Sequence, residues 1–284
     1  FTSLRSNLIS GKVSDLVLTF DELLKRSSLA VRMREILHIL EKRYKQPVDM
    51  EFTIEVGPAE DGTIDLTIVL LQCRPQSHMA DEDVPPIPKK LKKEDTLFAT
   101  HFVVPQGYLD RIDWVVYVDP KAYFALPTMN DRFKLGHAIG HINEMMAEKQ
   151  FILVGPGRWG SSNSDLGVPI NYGDIFHSRA LVELTGPGIG VAPEPSLGTH
   201  FFQDLMEAKI YPLAVDLADD KSLFHTEWLE NAPNHLLEFC PSDKEFADVL
   251  RIVSVEDIRQ GYQLRVIMND EQNVAVAFFV PQEF

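Results

Sequence analysis

The stretch Gln46-Pro47-Val48-Asp49-Met50-Glu51-Phe52 reads as the opening of a β-strand, and Leu71-Gln72-Cys73-Arg74-Pro75 reads as the close of another. Between them Gly57-Pro58-Ala59-Glu60-Asp61-Gly62 supplies turn residues, so the two runs form one long hairpin. Along the first strand Met50, Phe52, Ile54 and Val56 alternate with Asp49, Glu51, Thr53 and Glu55. Along the return strand Ile64, Leu66, Ile68 and Leu70 share a face that Gln72 and Arg74 continue. An apolar face that ends in an amide and a guanidinium needs acceptors or an anion at that end. Glu and Gln oxygens suit Mg²⁺ beside nucleotide phosphates, and Arg presents a planar fork to a phosphate. A strand-end ion pair of Arg74 with Glu51 or Asp49 satisfies the same residues.

Preceded by the helix that ends Ile39-Leu40-Glu41-Lys42-Arg43-Tyr44, the hairpin resembles the end of the nucleotide-binding domain of the phosphoenolpyruvate synthase and pyruvate phosphate dikinase family, a domain of the ATP-grasp kind. In that family a helix leads into a Pro-x-Asp-x-Glu strand, and the next strand ends Gln-x-Arg-Pro. The matching residues here are Pro47, Asp49, Glu51, Gln72, Arg74 and Pro75. The resemblance implies that Glu51 and Gln72 hold Mg²⁺ and that Arg74, with Asp49 beside it, contacts the phosphates of ATP. It implies a parent phosphotransferase that moves a phosphoryl group between ATP, a histidine and pyruvate, phosphoenolpyruvate or another small acceptor. It also implies a nucleotide-clamping half in a missing N-terminal part of the same protein, so that this chain alone is expected to be inactive.

Composition bounds the alternatives. The 284 residues suit two domains, and a hydrophobic content of 45% is ample for sizeable cores. With 27 basic and 42 acidic residues the net charge is −15, which argues against a nucleic-acid or acidic-membrane surface. Cys73 and Cys240 form no metal-type pair and fit a reducing cytoplasm. No run reaches membrane-spanning length.

From the hairpin outward, Asp21-Glu22 open a helix expected to run to Tyr44, with Leu23, Leu24, Leu29, Met33, Ile36, Leu37 and Leu40 at helical spacing. Residues 77–94, with Asp81-Glu82-Asp83, Pro85-Pro86, Pro88 and paired lysines, read as a linker. It separates a domain at 1–76 from one at 95–284. In the second, strands are expected at Ile112–Val118, Phe151–Val154, Ala180–Leu184 and Tyr211–Val215, and helices at Asp131–Lys149 and Phe201–Ala208. This alternation predicts an α/β layered domain. The strands expected at Leu250–Val255, Tyr262–Met268 and Val274–Val280 make the tail β-rich, α+β in character.

Three constellations carry chemistry. Gly155-Pro156-Gly157-Arg158-Trp159-Gly160-Ser161-Ser162 follows a strand, where glycines expose backbone N–H groups to an anion and Arg158 adds a charged fork. The other reading is a tight turn in which Trp159 fills a gap. His137 and His141 stand one helical turn apart with no third metal ligand in view. Ser196-Leu197-Gly198-Thr199-His200-Phe201-Phe202 resembles the turn and helix of the swivelling phosphohistidine domain of the same family, which makes His200 the candidate phosphate carrier. Phe201 and Phe202 replace the small residues of that domain, so His200 is expected near the Gly155–Ser162 loop without carrying phosphate. The two functional readings are therefore a phosphotransferase piece and a non-catalytic binding or regulatory module.

Overall fold

The computed structural model describes residues 3–6, 16–45, 47–58, 64–75, 84–102, 104–187, 189, 195–196 and 200–282. It divides into a first unit, Phe1–Ser77, and a second, His78–Phe284.

In the first unit β1 (Ser3–Ser6) pairs antiparallel with β2 (Leu16–Thr19). The expected single helix is two, α1 (Asp21–Arg26) and α2 (Leu29–Tyr44). Ser27 causes the break: its hydroxyl donates to Leu23 O and accepts from Leu29 N, competing with the helical ladder. Lys45 ends α2 in the left-handed conformation, at φ 60°, with its N–H on Glu41 O. The hairpin is β3 (Val48–Pro58) against β4 (Ile64–Pro75); the middle of its turn, 59–63, lies outside the described residues. Val48 and Leu66 of the hairpin and Leu29 of α2 are buried, and Arg32 of α2 donates to Leu66 O.

The second unit begins with β5 (Thr96–Thr100), β6 (Gly107–Ile112) and β7 (Trp114–Val118). Asp119 then caps α3 (Pro120–Phe124), accepting from Ala122 N at 2.8 Å, with Pro120 at the first helical position. Thr128 caps α4 (Met129–Met145). Next come β8 (Phe151–Pro156), β9 (Ala180–Thr185), α5 (His200–Glu207), β10 (Tyr211–Asp216), β11 (Leu223–Phe224), α6 (Thr226–Asn231) and α7 (Leu236–Phe239). The chain closes with β12 (Leu250–Ser254), α8 (Val255–Ile258), β13 (Tyr262–Asn269) and β14 (Val274–Pro281).

Two five-stranded sheets result. One has the order β10-β9-β8-β7-β12, parallel except for β12; the other is antiparallel, in the order β11-β5-β14-β13-β6. Val115, Tyr117, Ile152, Val182, Leu184 and Leu213 of the parallel sheet pack against Phe98, Leu109, Leu264, Val266 and Ala277 of the other. Alternate residues, among them Val116, Val118, Leu153 and Leu181, pack against Leu135, Ile139 and Ile142 of α4 and Leu205 of α5. The architecture is mixed α/β, with helices over one face of the parallel sheet and a second sheet over the other. The C-terminal strands are no appendage: β12 edges the parallel sheet, and β13 and β14 are interior strands of the second. Over the outer face of that second sheet Val84, Ile87 and Leu91 pack with Ile267, Val276 and Phe278, while Lys89 and Lys90 stay exposed.

Candidate functional site

The register of the hairpin brings four of the candidate residues together. Asp49 stands across from Arg74, and Glu51 across from Gln72. Directly paired residues share a face, so all four lie on one. A bulge follows: Glu51 pairs with Gln72 but Phe52 pairs with Leu70, leaving Leu71 without a partner in the register. This corrects the expected pattern. Glu51 and Phe52 point to opposite faces, so Gln72 and Arg74 do not continue the face of Leu66, Ile68 and Leu70 but lie behind it. Val48 and Leu66 are buried on the face that also carries Phe52 and Ile54, and the polar quartet is on the other. Gln72, with its amide oxygen facing the guanidinium, accepts from Arg74 Nη2 at 2.8 Å and from Arg74 Nε. Asp49, Glu51 and Arg74 are none of them without a partner. Among the described residues no group of three or more His, Cys, Asp or Glu side chains forms a metal site.

The glycine-rich loop leaves the C-terminal end of β8. Gly157 and Gly160 take left-handed φ values of 67° and 72°. The ring of Trp159, 1% exposed, lies over Gly155, where a Cβ would meet Trp159 Cζ2 at 2.5 Å. The expected row of free N–H groups is absent. Gly157 N donates to Leu184 O at 2.8 Å, Arg158 N to Leu166 O at 2.8 Å and Gly160 N to Val168 O at 3.0 Å. Trp159 N donates to Glu183 Oε1 at 2.9 Å. The loop does receive an anion on a backbone N–H, but one that the chain supplies itself. Further along, Tyr123 Oη reaches Gly167 O at 2.6 Å and Arg132 pairs with Asp165, fixing the returning limb. What Arg158, half-buried, and Ser161 can offer a ligand is therefore side chain rather than backbone.

Glu183 was not singled out from sequence, although a carboxylate inside the run Ala180-Leu181-Val182-Glu183-Leu184 is the signal that could have found it. It is 0% exposed. Ser196 N donates to its Oε2 at 2.6 Å and Ser196 Oγ to its Oε1 at 2.6 Å. Burial pushes the carboxyl up to about 7, although these donors, Trp159 N and the charge of Arg158 all favour ionisation.

Ser196 precedes the turn that leads into α5. Leu197, Gly198 and Thr199 lie outside the described residues, as does the side chain of His200, while the backbone of His200 opens α5. The start of α5 is beside the loop, since a Cβ on Gly160 would meet the ring of Phe201 at 2.7 Å. Phe202 is buried among Leu205, Ile210 and Leu153, and Phe201 packs on the same cluster, so both aromatics serve this unit's own core. On the loop's outer side, Gly160, Ser161 and Ser162 line a cleft of 260 Å³ with Phe133 and His137 of α4 and Asp174. His141, one turn on, instead approaches Asp243 Oδ2 at 3.1 Å, so the two histidines do not share a ligand position.

Both cysteines are free. No helix among the described residues is long and apolar enough to cross a membrane. Comparison with curated proteins and with solved structures finds no match. Residues 11–95, under a third of the chain, match the family model described as pyruvate phosphate dikinase, AMP/ATP-binding domain. That match contains the whole hairpin that carries the resemblance, and it supports the likeness of this part of the chain to the pyruvate phosphate dikinase family.

Proposed function

We propose that the first unit contributes phosphate contacts to a bound ATP in a phosphotransferase related to phosphoenolpyruvate synthase. The observation that carries this reading is the register, which gathers Asp49, Glu51, Gln72 and Arg74 on one face of the hairpin. Arg74 offers its guanidinium fork to phosphate oxygens. Glu51 and Gln72 present oxygens from neighbouring strands, a set that fits Mg²⁺ when phosphate and water complete the shell. The ion, when bound, would neutralise phosphate charge; Gln72 oxygen accepts from both Nη2 and Nε of Arg74, so it would turn to the ion only as Arg74 turns to phosphate. Pyruvate, phosphoenolpyruvate or another small acceptor would receive or supply the phosphoryl group. The family match of residues 11–95 supports the nucleotide assignment.

In the second unit we place the anion-receptive groups in side chains, Arg158 and Ser161, beside the start of α5 where His200 stands. The sequence withholds the swivelling-type carrier role from His200; with Phe201 and Phe202 packed into this unit's own core, we restore it as part of this reading. A second reading, a non-catalytic binding or regulatory module, is favoured by one observation: four consecutive N–H groups of the glycine-rich loop are spent within the protein.

Titrating the chain with Mg-ATP to millimolar concentration, followed by NMR of the Arg74 and Gln72 side chains, tests the nucleotide site. Both side-chain signals are expected to shift. In Arg74→Ala the affinity should fall at least tenfold, the loss of a charge-assisted bond of about 1.5–3 kcal/mol, with hairpin amide dispersion kept. Unmoved signals, or equal affinity in the variant, leave Arg74 a strand-end ion pair. Acid-labile phosphate formed with ATP and lost in His200→Ala would establish the carrier.

A further inference from the structure

Glu183 joins two segments that are distant in sequence. Trp159 N donates to Oε1 from the loop after β8, and Ser196 N and Oγ donate from the segment before α5. Ser196 Oγ also lies 3.1 Å from Trp159 O, in donor geometry. A hydroxyl carries one hydrogen, so it cannot serve Glu183 and Trp159 O together. With Glu183 ionised, that hydrogen belongs to Oε1. With a proton taken from solvent onto Oε1, the carboxyl donates to Ser196 Oγ, and the hydroxyl turns its own hydrogen to Trp159 O. The amides of Trp159 and Ser196 keep an acceptor in both forms, but a weaker one when the carboxylate charge is gone.

We propose that Glu183 is a positioning residue: with Ser196 it ties the Arg158 turn to the segment leading into His200, in two hydrogen-bonded forms that differ by one proton and a reversed hydroxyl. The proposal rests on the reading of the second unit in which Arg158 and His200 serve one anion. A carboxyl at about 7 populates both forms near neutrality. The charged group that faces it is Arg158, from the same turn, whereas its strand neighbours Gly155 on β8 and Ala214 on β10 are uncharged.

The experiment is an NMR pH titration of the intact chain between pH 5 and 9, following the Glu183 carboxyl and the amides of Trp159 and Ser196. All three are expected to share one midpoint near 7. Glu183→Gln should abolish that titration and strip the Ser196 amide of exchange protection, because Gln Nε2 would face it donor to donor. Ser196→Ala keeps the carboxyl and loses a donor to its charged form, so the midpoint should move up; this variant decides the matter where the Gln variant does not fold. A carboxyl that titrates in the ordinary range, or amides that ignore its titration, overturns the proposal. Phosphate on His200 is measured separately against pH with ATP. A yield that follows the Glu183 midpoint supports positioning, and one indifferent to it overturns the functional part. No label at any pH removes the carrier reading and, with it, that functional part, while the amide titration alone still decides the tie.

Discussion

His235 is the side chain whose charge most directly reports on the second unit's stability. Its Nε2 bonds Asp257 Oδ2 of α8 at 2.6 Å, its Nδ1 lies 2.9 Å from Glu238 Oε1 without hydrogen-bond alignment, and its ring stands edge-on to Trp114. Burial works against its charged form, yet Glu238 and Asp257 outweigh burial and raise its pKa. A histidine raised on folding contributes stability that is fully present below its unfolded value of about 6.5 and lost as pH rises through the folded value. The melting temperature should therefore fall across this window, and Asp257→Asn should flatten the fall by about 0.5–1 kcal/mol, the worth of a partly exposed pair. A thermal melt series from pH 5 to 9 checks it; equal slopes in both proteins would mean that Asp257 is not a stabilising partner. Glu183 acts in the same sense, because a carboxyl raised to about 7 weakens the fold as pH climbs from the usual carboxylate range to that value. Comparing the two slopes in Asp257→Asn and Glu183→Gln separates their shares.

At the scale of the element, the loop after β8 shows what a glycine is for and where it is not needed. Gly160 combines φ 72° with a Phe201 ring 2.7 Å from where its Cβ would stand, whereas Gly173 has nothing within 4 Å. Gly160→Ala is expected to cost about 1–3 kcal/mol through left-handed strain and crowding, and Gly173→Ala almost nothing. Denaturant melts of the pair decide this, and similar midpoints would contradict the packing of α5 on the loop. Strand and helix periods made β7, β8, β9, β10, α4 and the hairpin legible in the sequence. β6 was not, because Gly107, Asp110 and Arg111 interrupt its apolar run. The quartet at the hairpin end was legible as a set but not its face, because a single unpaired residue, Leu71, reverses the alternation. The donors of residues 157–160 looked free because their acceptors, Leu166 O, Val168 O, Leu184 O and the Glu183 carboxylate, arrive from later in the chain. Sequence spacing carries no information about such distant partners.

For the molecule as a whole, the two units differ in how much they can bury alone. In the first, Leu29, Val48 and Leu66 are the buried apolar residues among those described, while Ile39, Phe52, Val69, Leu70 and Leu71 remain exposed. A unit whose described residues bury so little sits at the margin of independent folding. Residues 78–284, expressed alone, should therefore melt cooperatively, and residues 1–77 alone should give no cooperative transition; the reverse result, read by circular dichroism, would refute this division of labour. The order in which the second unit's strands are made has a further consequence during synthesis. β5 pairs with β14 and β6 with β13, so the antiparallel layer cannot close until the final strands leave the ribosome. At translation speeds of 5–20 residues per second, the stretch between Thr100 and Val274 takes roughly 10–35 s to make. For that interval Phe98 and Leu109 wait without Ala277 and Val266, the residues that stand across from them on β14 and β13.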